Sequence, residues 1–377
     1  MWCIVQPLLE EWHFEWTNLS QFFEAHWGPP LSKDPSRLGH SAEKIGRKQP
    51  SNQKKVDFYP NCDLAFLVLD ARLLDCWRLL YQKGDLFKHF DNLASQKDLP
   101  SFETLEILAR KLYRSYTSIR AQEMVIRGHK FMPDDSAVPT GTAWPLANAH
   151  GTFFDDPKSN SLPTPFKGDQ VLARSIAFMR EAMLAQELSL STAEGDVGRV
   201  WEVTKILVFS FAGSSHGKYL AYILEMIVTL EVECSTERRK GLLQMTLVNL
   251  TGRPGHWSAG DFVQEYFNRL LEAIVERKGV EYGDKFIHKT WSQNIHHIAR
   301  LKLLWFDGLG IKTRSSKHAG AKHNTELRLL LAVYQDSGLH TFCAARSYDD
   351  NLFVDDYQHG MEELGSKKLR KWIHKTT

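Results

Sequence analysis

Apolar residues recur at helical rather than strand spacing along most of this chain, and that pattern restricts the fold more than any other feature. Phe262, Tyr266, Leu270 and Ile274 follow one another every four residues, which lays one apolar stripe along a helix. Few stretches alternate with period two, the pattern of a half-buried strand. The expected fold is therefore mainly α: a multi-helix globular bundle with long irregular loops and little or no sheet. Its packed heart is expected at residues 195–300.

The same reading divides the chain. Residues 1–27 are aromatic and helical, stopped by Gly28-Pro29-Pro30. Residues 31–57 read as a basic loop carrying Lys33, Arg37, Lys44, Arg47, Lys48, Lys54 and Lys55. Residues 63–81 are dense enough in Leu, Val, Phe and Trp for a buried helix. Ser101 caps the next helix, with Glu103 and Glu106 early and Arg110, Lys111 and Arg114 late, an order that suits the helix dipole. Residues 131–168 hold six prolines and few periodic apolar positions, as in an irregular connection between domains. An N-terminal helical region, 1–130, and a C-terminal helical core, 169–377, flank it. In the second region 170–188 is amphipathic, and Ser191-Thr192-Ala193-Glu194 has the form of a capping box. Further helices are expected near 200–211, 218–232, 261–274, 285–305, from 325, and at 361–374.

Composition narrows the class. With 47 basic and 45 acidic residues the net charge is +2, so no global field draws the chain to nucleic acid or a membrane surface. Cys3, Cys62, Cys76, Cys234 and Cys343 are far apart and form no C-x-x-C pair; free thiols in a reducing compartment are the simple reading. The apolar run at 219–232 is broken by Glu225 and Glu231, whereas a membrane span needs about 20 nearly uninterrupted apolar residues. A soluble protein of the cytoplasm or nucleus is expected, without a membrane partner.

Several blocks carry a resemblance. They are Trp12-His13-Phe14-Glu15-Trp16, Leu38-Gly39-His40, Gly195-Asp196-Val197-Gly198-Arg199-Val200-Trp201-Glu202, and His216-Gly217-Lys218-Tyr219 with Glu225-Met226. Asn249 with Gly252-Arg253-Pro254-Gly255-His256-Trp257, the run from Gly260 to Arg269, and Asn294-Ile295-His296-His297 continue them. In this order they resemble a large family of mushroom-forming fungi, domain of unknown function 6589. The resemblance implies a mobile-element-like background but no established activity. It also implies that longer members carry an upstream Asp-containing segment that this chain lacks. The family's Gly-Asp-Gly-Gly-Arg run reads Gly195-Asp196-Val197-Gly198-Arg199 here.

Four constellations invite chemistry. Gly213-Ser214-Ser215-His216-Gly217 matches G-x-S-x-G, and a nucleophile elbow on Ser215 would need a strand before it and a helix after it. A helix–turn–helix corner is simpler. Glu225, Asp261 and Glu265 are acids set in apolar helices; convergent carboxylates hold the divalent ions of phosphoryl transfer. Against that, Asp261 reads as an N-cap of its own helix and Glu265 as the i, i+4 partner of Arg269. His296 and His297, with His288 upstream, are adjacent and so point to different helix faces, and no metal site is assigned to them. The basic stretches 33–55, 312–322 and 367–375 could bind phosphates if they converge.

The preferred reading is a non-catalytic or catalytically incomplete helical protein with an assembly or nucleic-acid-binding role. His216, Arg253, Arg269 and His296 are its candidate binding residues. It takes no cofactor, and oligomeric state is left open. The alternatives are a metal-dependent nuclease or transposase-like remnant on Glu225, Asp261 or Glu265, the one case that requires Mg²⁺, and a serine hydrolase on Ser215.

Overall fold

The computed structural model describes residues 9–128, 166–278, 281, 283–310, 323–348 and 355–376. The segment expected to join two domains lies almost wholly outside them, as does the basic stretch 312–322. In chain order the helices are α1 (Glu11–His26), α2 (Leu38–Lys44), α3 (Phe58–Tyr81), α4 (Leu86–Gln96), α5 (Phe102–Tyr116) and α6 (Ile119–Ile126). Then come α7 (Gln170–Glu194), α8 (Val197–Gly213), α9 (Gly217–Ile227), α10 (Thr236–Gln244), α11 (Gly260–Lys278) and α12 (Gln293–Gly308). The series closes with α13 (Asn324–Ser337), α14 (Asp356–Glu363) and α15 (Leu369–Thr376). Wide π-helical turns at Val228–Glu233, Ile287–Ser292 and Leu364–Lys368 join α9 to α10, lead into α12, and join α14 to α15. Among the described residues the only sheet is one antiparallel pair, β1 (Leu247–Val248) and β2 (Ser258–Ala259), with Leu247 opposite Ala259. The mainly α expectation holds.

Among the described residues two large apolar cores form, and the long helices α1 and α7 run through both; a smaller cluster of Ala121, Val125, Leu172, Ala173 and Ile176 joins α6 to α7. The first gathers Phe22 and Phe23 of α1, Leu67 and Val68 of α3, Phe178 of α7 and Tyr334 of α13. The second gathers Phe14 of α1, Leu188 of α7, Trp201 and Phe211 of α8 and Ile223 of α9. The rings of Phe14 and Phe211 stack there with centroids 5.1 Å apart.

Two local expectations change, and one alternative loses its strand. Residues 31–57 contain α2, whose Leu38 and Ala42 are buried. The loop before it is anchored inward, because Arg72 and Arg174 are buried cations that must be satisfied: Arg174 donates to the buried Asp34 at 2.6 Å, and Arg72 to the Ser36 carbonyl at 2.7 Å. Ser191-Thr192-Ala193-Glu194 is the last turn of α7, not the start of a helix. Gly195 ends α7 in the left-handed region (φ 80°), as a C-cap requires, and Asp196 caps α8 by accepting from the Arg199 N–H. Finally, α8 stays helical through Gly213, so Ser215 sits exposed in a helix–helix turn. The strand that a nucleophile elbow requires is not there.

Candidate metal centre

The first amides of a helix have no partner within it, and at α1 the chain supplies none locally: Glu10 precedes the helix in extended conformation and its side chain makes no cap. The acceptor comes from far away. Both carboxylate oxygens of Asp261 accept from the Trp12 N–H, at 3.0 and 3.1 Å. One of them also accepts from the His13 N–H at 3.1 Å and lies 2.9 Å from His13 Nδ1. Asp261, expected to cap its own helix, is turned to α1 instead. An anion between two helix N-termini meets the positive ends of both dipoles.

A chain of contacts fixes α11 in this position. The Trp257 indole packs over Gly195, where an added Cβ would fall 2.6 Å from the ring, and the Trp257 N–H donates to the Ala193 carbonyl. β2 then pairs with β1, and the Gly260 N–H donates to the Thr246 carbonyl at 2.7 Å. Phe262 meets the Trp12 ring edge-on at 5.3 Å. The blocks around Gly195 and Trp257 therefore serve to dock α11 against the start of α1.

Around Asp261 the charge is one-sided. Glu10 Oε2 is 3.5 Å from His13 Nδ1, and ligand atoms of Glu10, His13 and Asp261 all lie within 4.8 Å of one another. Glu11 is buried, and one of its carboxylate oxygens has no hydrogen-bond partner. Burial first, then the charges of Asp261 and Glu15, push the Glu11 carboxyl up to about 8. Burial also pushes Glu15 up to about 7, with Asp261 adding to the rise and a hydrogen bond with Ser189 opposing it. Glu10, Asp261 and the His13 imidazole thus form the close group, and the charge of Asp261 reaches Glu11 and Glu15. A mixed nitrogen and oxygen donor set of this kind suits a borderline or hard divalent ion.

None of the other candidates belongs to this three-ligand group. Glu225 is exposed on α9, and Glu265 is half-buried one turn beyond Asp261. Arg269 is exposed and acts electrostatically on Tyr59, which Glu15 also influences. His216 occupies the N-cap position of α9, its ring edge-on to Phe211. Arg253 is exposed in the 249–257 turn, where its carbonyl accepts from the Asn249 side chain. His296 and His297 are exposed, yet their ring centroids are 3.8 Å apart. The expectation of divergent faces fails because exposed side chains about 100° apart on a helix can rotate toward each other. In the first basic stretch, Arg47 is held by Glu326 and Asp63, and Arg37 lies 3.7 Å from Asp34.

Sequence reasoning missed Glu10, Glu11, His13 and Glu15 as a site, although three of them fall in or beside the aromatic block at 12–16. It also missed a hydrogen-bonded Ser–His–Asp series. Ser175 Oγ lies 3.0 Å from His340 Nε2, and His340 Nδ1 lies 2.7 Å from Asp75. All three are buried and Ser175 also accepts from Arg72, so this series is a clamp between α3, α7 and the end of α13 rather than a nucleophile open to substrate.

Among the described residues, no helix is long and apolar enough to cross a membrane. No curated protein and no solved structure matches the chain. The profile described as "Family of unknown function (DUF6589)" matches residues 2–318, most of the length, and the chain belongs to that family.

Proposed function

We propose that this chain binds a divalent cation where α1 meets α11, and that it works in cation-dependent phosphate chemistry as a catalytically incomplete helical protein. The observation that carries the reading is the approach of Glu10, His13 and Asp261 ligand atoms to within 4.8 Å; the buried Glu11, whose carboxyl feels the charge of Asp261, has an oxygen without a hydrogen-bond partner. A divalent ion there offsets the mutual repulsion of the carboxyls. It would also join the two helix ends that Asp261 already bridges. The order of motifs from Trp12 to His297 supports a mobile-element-like background in mushroom-forming fungi, a setting in which phosphodiesters are the natural target. Nucleic acid is then the expected partner, held by the basic residues of 33–55 and 367–375.

Calorimetric titration of the full chain with Mg²⁺, Mn²⁺ and Zn²⁺ tests the site. Saturable binding is expected, weakened about tenfold or more in Glu10→Gln and in Asp261→Asn, as loss of a ligand or its support commonly does. Glu10 is exposed, so its variant leaves the fold intact even if Asp261→Asn loosens α1. Absence of binding, or binding indifferent to both changes, would refute the site. A salt-titrated DNA and RNA binding assay with and without Mg²⁺ tests the partner; no retention at low salt removes nucleic acid.

A further inference from the structure

Helix α12 is apolar on two opposite sides. At about 100° per residue, Ile295 and Ala299 fall on one side, and both are buried; α12 is in contact with α11. Leu301, Leu304, Trp305 and Gly308 fall on the other. Leu301 is 63% exposed, Leu304 59% and Trp305 64%. A helix apolar on both faces is one that is covered on both faces, and a contiguous exposed patch with a tryptophan at its middle has the composition of an interface centre.

We infer that α12 is the contact helix of a symmetric homodimer, pairing antiparallel with α12 of a second copy through Leu301, Leu304 and Trp305. Charge selects this occupant. Arg300 and Asp307 lie seven residues apart along one edge of the apolar stripe, both exposed and of opposite sign. A two-fold axis near Leu304 sets this edge against the same edge of the second copy in reverse order, so Arg300 meets the partner's Asp307 twice. A parallel pair would set unlike edges together and lose both contacts. The stripe is self-complementary in size as well: the same axis places Leu301 over the partner's Gly308, where no side chain obstructs it, and sets Leu304 against the partner's Leu304 and Trp305 against the partner's Trp305. An isologous interface needs this self-complementarity. The inference is independent of the cation site.

Sedimentation equilibrium and light scattering on the full chain read the outcome. Twice the chain mass is expected for the wild type, and the single-chain mass for Leu304→Glu/Trp305→Glu. Arg300→Glu alone should weaken the dimer at least tenfold, and Arg300→Glu/Asp307→Arg should restore it, because the swapped pair rebuilds both contacts. The altered side chains are exposed, so far-UV circular dichroism should stay unchanged throughout. A wild type of single-chain mass at every accessible concentration would overturn the inference and leave this face to a different protein. A dimer indifferent to Leu304→Glu/Trp305→Glu would place the interface elsewhere, and failure of the charge swap to rescue would overturn the antiparallel register.

Discussion

At the scale of single residues, Asp261 and Glu11 show how position sets what a carboxyl does. Asp261 is held by two amides and an imidazole at the end of a helix dipole. Glu11, one residue from the same helix end, has burial and the Asp261 charge against it. Its carboxyl holds a proton more tightly folded than unfolded. It therefore contributes stability that is complete below about 4.5, its ordinary value, and lost as pH rises through about 8. Glu15 adds the same trend, with its loss complete as pH rises through about 7. In chelator-treated protein the melting temperature should fall steadily from pH 5 to pH 9. Glu11→Gln should raise it most at the alkaline end and hardly at all at pH 5. Each unit of pKa shift corresponds to about 1.4 kcal/mol, so the effect lies within reach of calorimetry. A flat melting profile, or a variant gain that is equal at both ends, would contradict this assignment.

At the scale of elements, the tightest contact is between α8 and α14. It exists because two glycines face carbonyl groups: a Cβ on Gly360 would lie 1.7 Å from the Phe209 oxygen, and one on Gly213 the same distance from the Asp356 oxygen. No rotamer relieves a clash with backbone, so α14 must move away. Gly360→Ala should cost about 3 kcal/mol, the upper part of the usual range for overpacking. Denaturant unfolding measures the cost. Hydrogen exchange should show protection lost first in α14. Lys368, which donates to the Ala212 carbonyl at the end of α8, should lose that contact in the same variant. The end of α7 follows a related rule. Gly195 holds a left-handed conformation under the Trp257 ring, so a turn that reads locally as a helix start is a helix stop.

At the scale of the whole molecule, a buried polar network ties distant segments together beside the first core. Asp34 and Ser36 come from the loop before α2, Arg72 and Asp75 from α3, Arg174 and Ser175 from α7, and His340 from the turn after α13. Arg72 also lies 3.9 Å over the Phe178 ring. Burial holds the His340 imidazole below its ordinary value despite the Asp75 contact, so the imidazole enters this hydrogen-bonded clamp in its neutral form. Removing one member of a buried ion pair leaves the other charge in a medium that solvates it poorly. Asp34→Ala should therefore cost about 3–5 kcal/mol, while Lys33→Ala next to it should cost under about 0.5 kcal/mol. Equal, small effects in chemical denaturation would show that the loop is not an anchor.

Periodicity and punctuation carried the sequence a long way on this protein. The spacing of Phe262 to Ile274, the cap at Ser101 and the stop at Gly28-Pro29-Pro30 are local facts about how a backbone satisfies its own amides, and they specify helices wherever the chain lies. Asp261 was legible as a capping residue for the same reason. Which helix it caps was not, because Trp12 and Asp261 are 249 residues apart and no local pattern encodes that contact. The inward anchoring of Asp34, the Ser175–His340–Asp75 clamp and the grouping of Glu10, Glu11, His13 and Glu15 around Asp261 share that cause. Each arises where burial removes water and obliges polar groups from distant segments to find one another. The sequence alone therefore determined most of the long helices, though not α2 or the end of α7. Tertiary structure alone decided the meeting of α1 with α11, because it brings charges together at a distance that only packing can close.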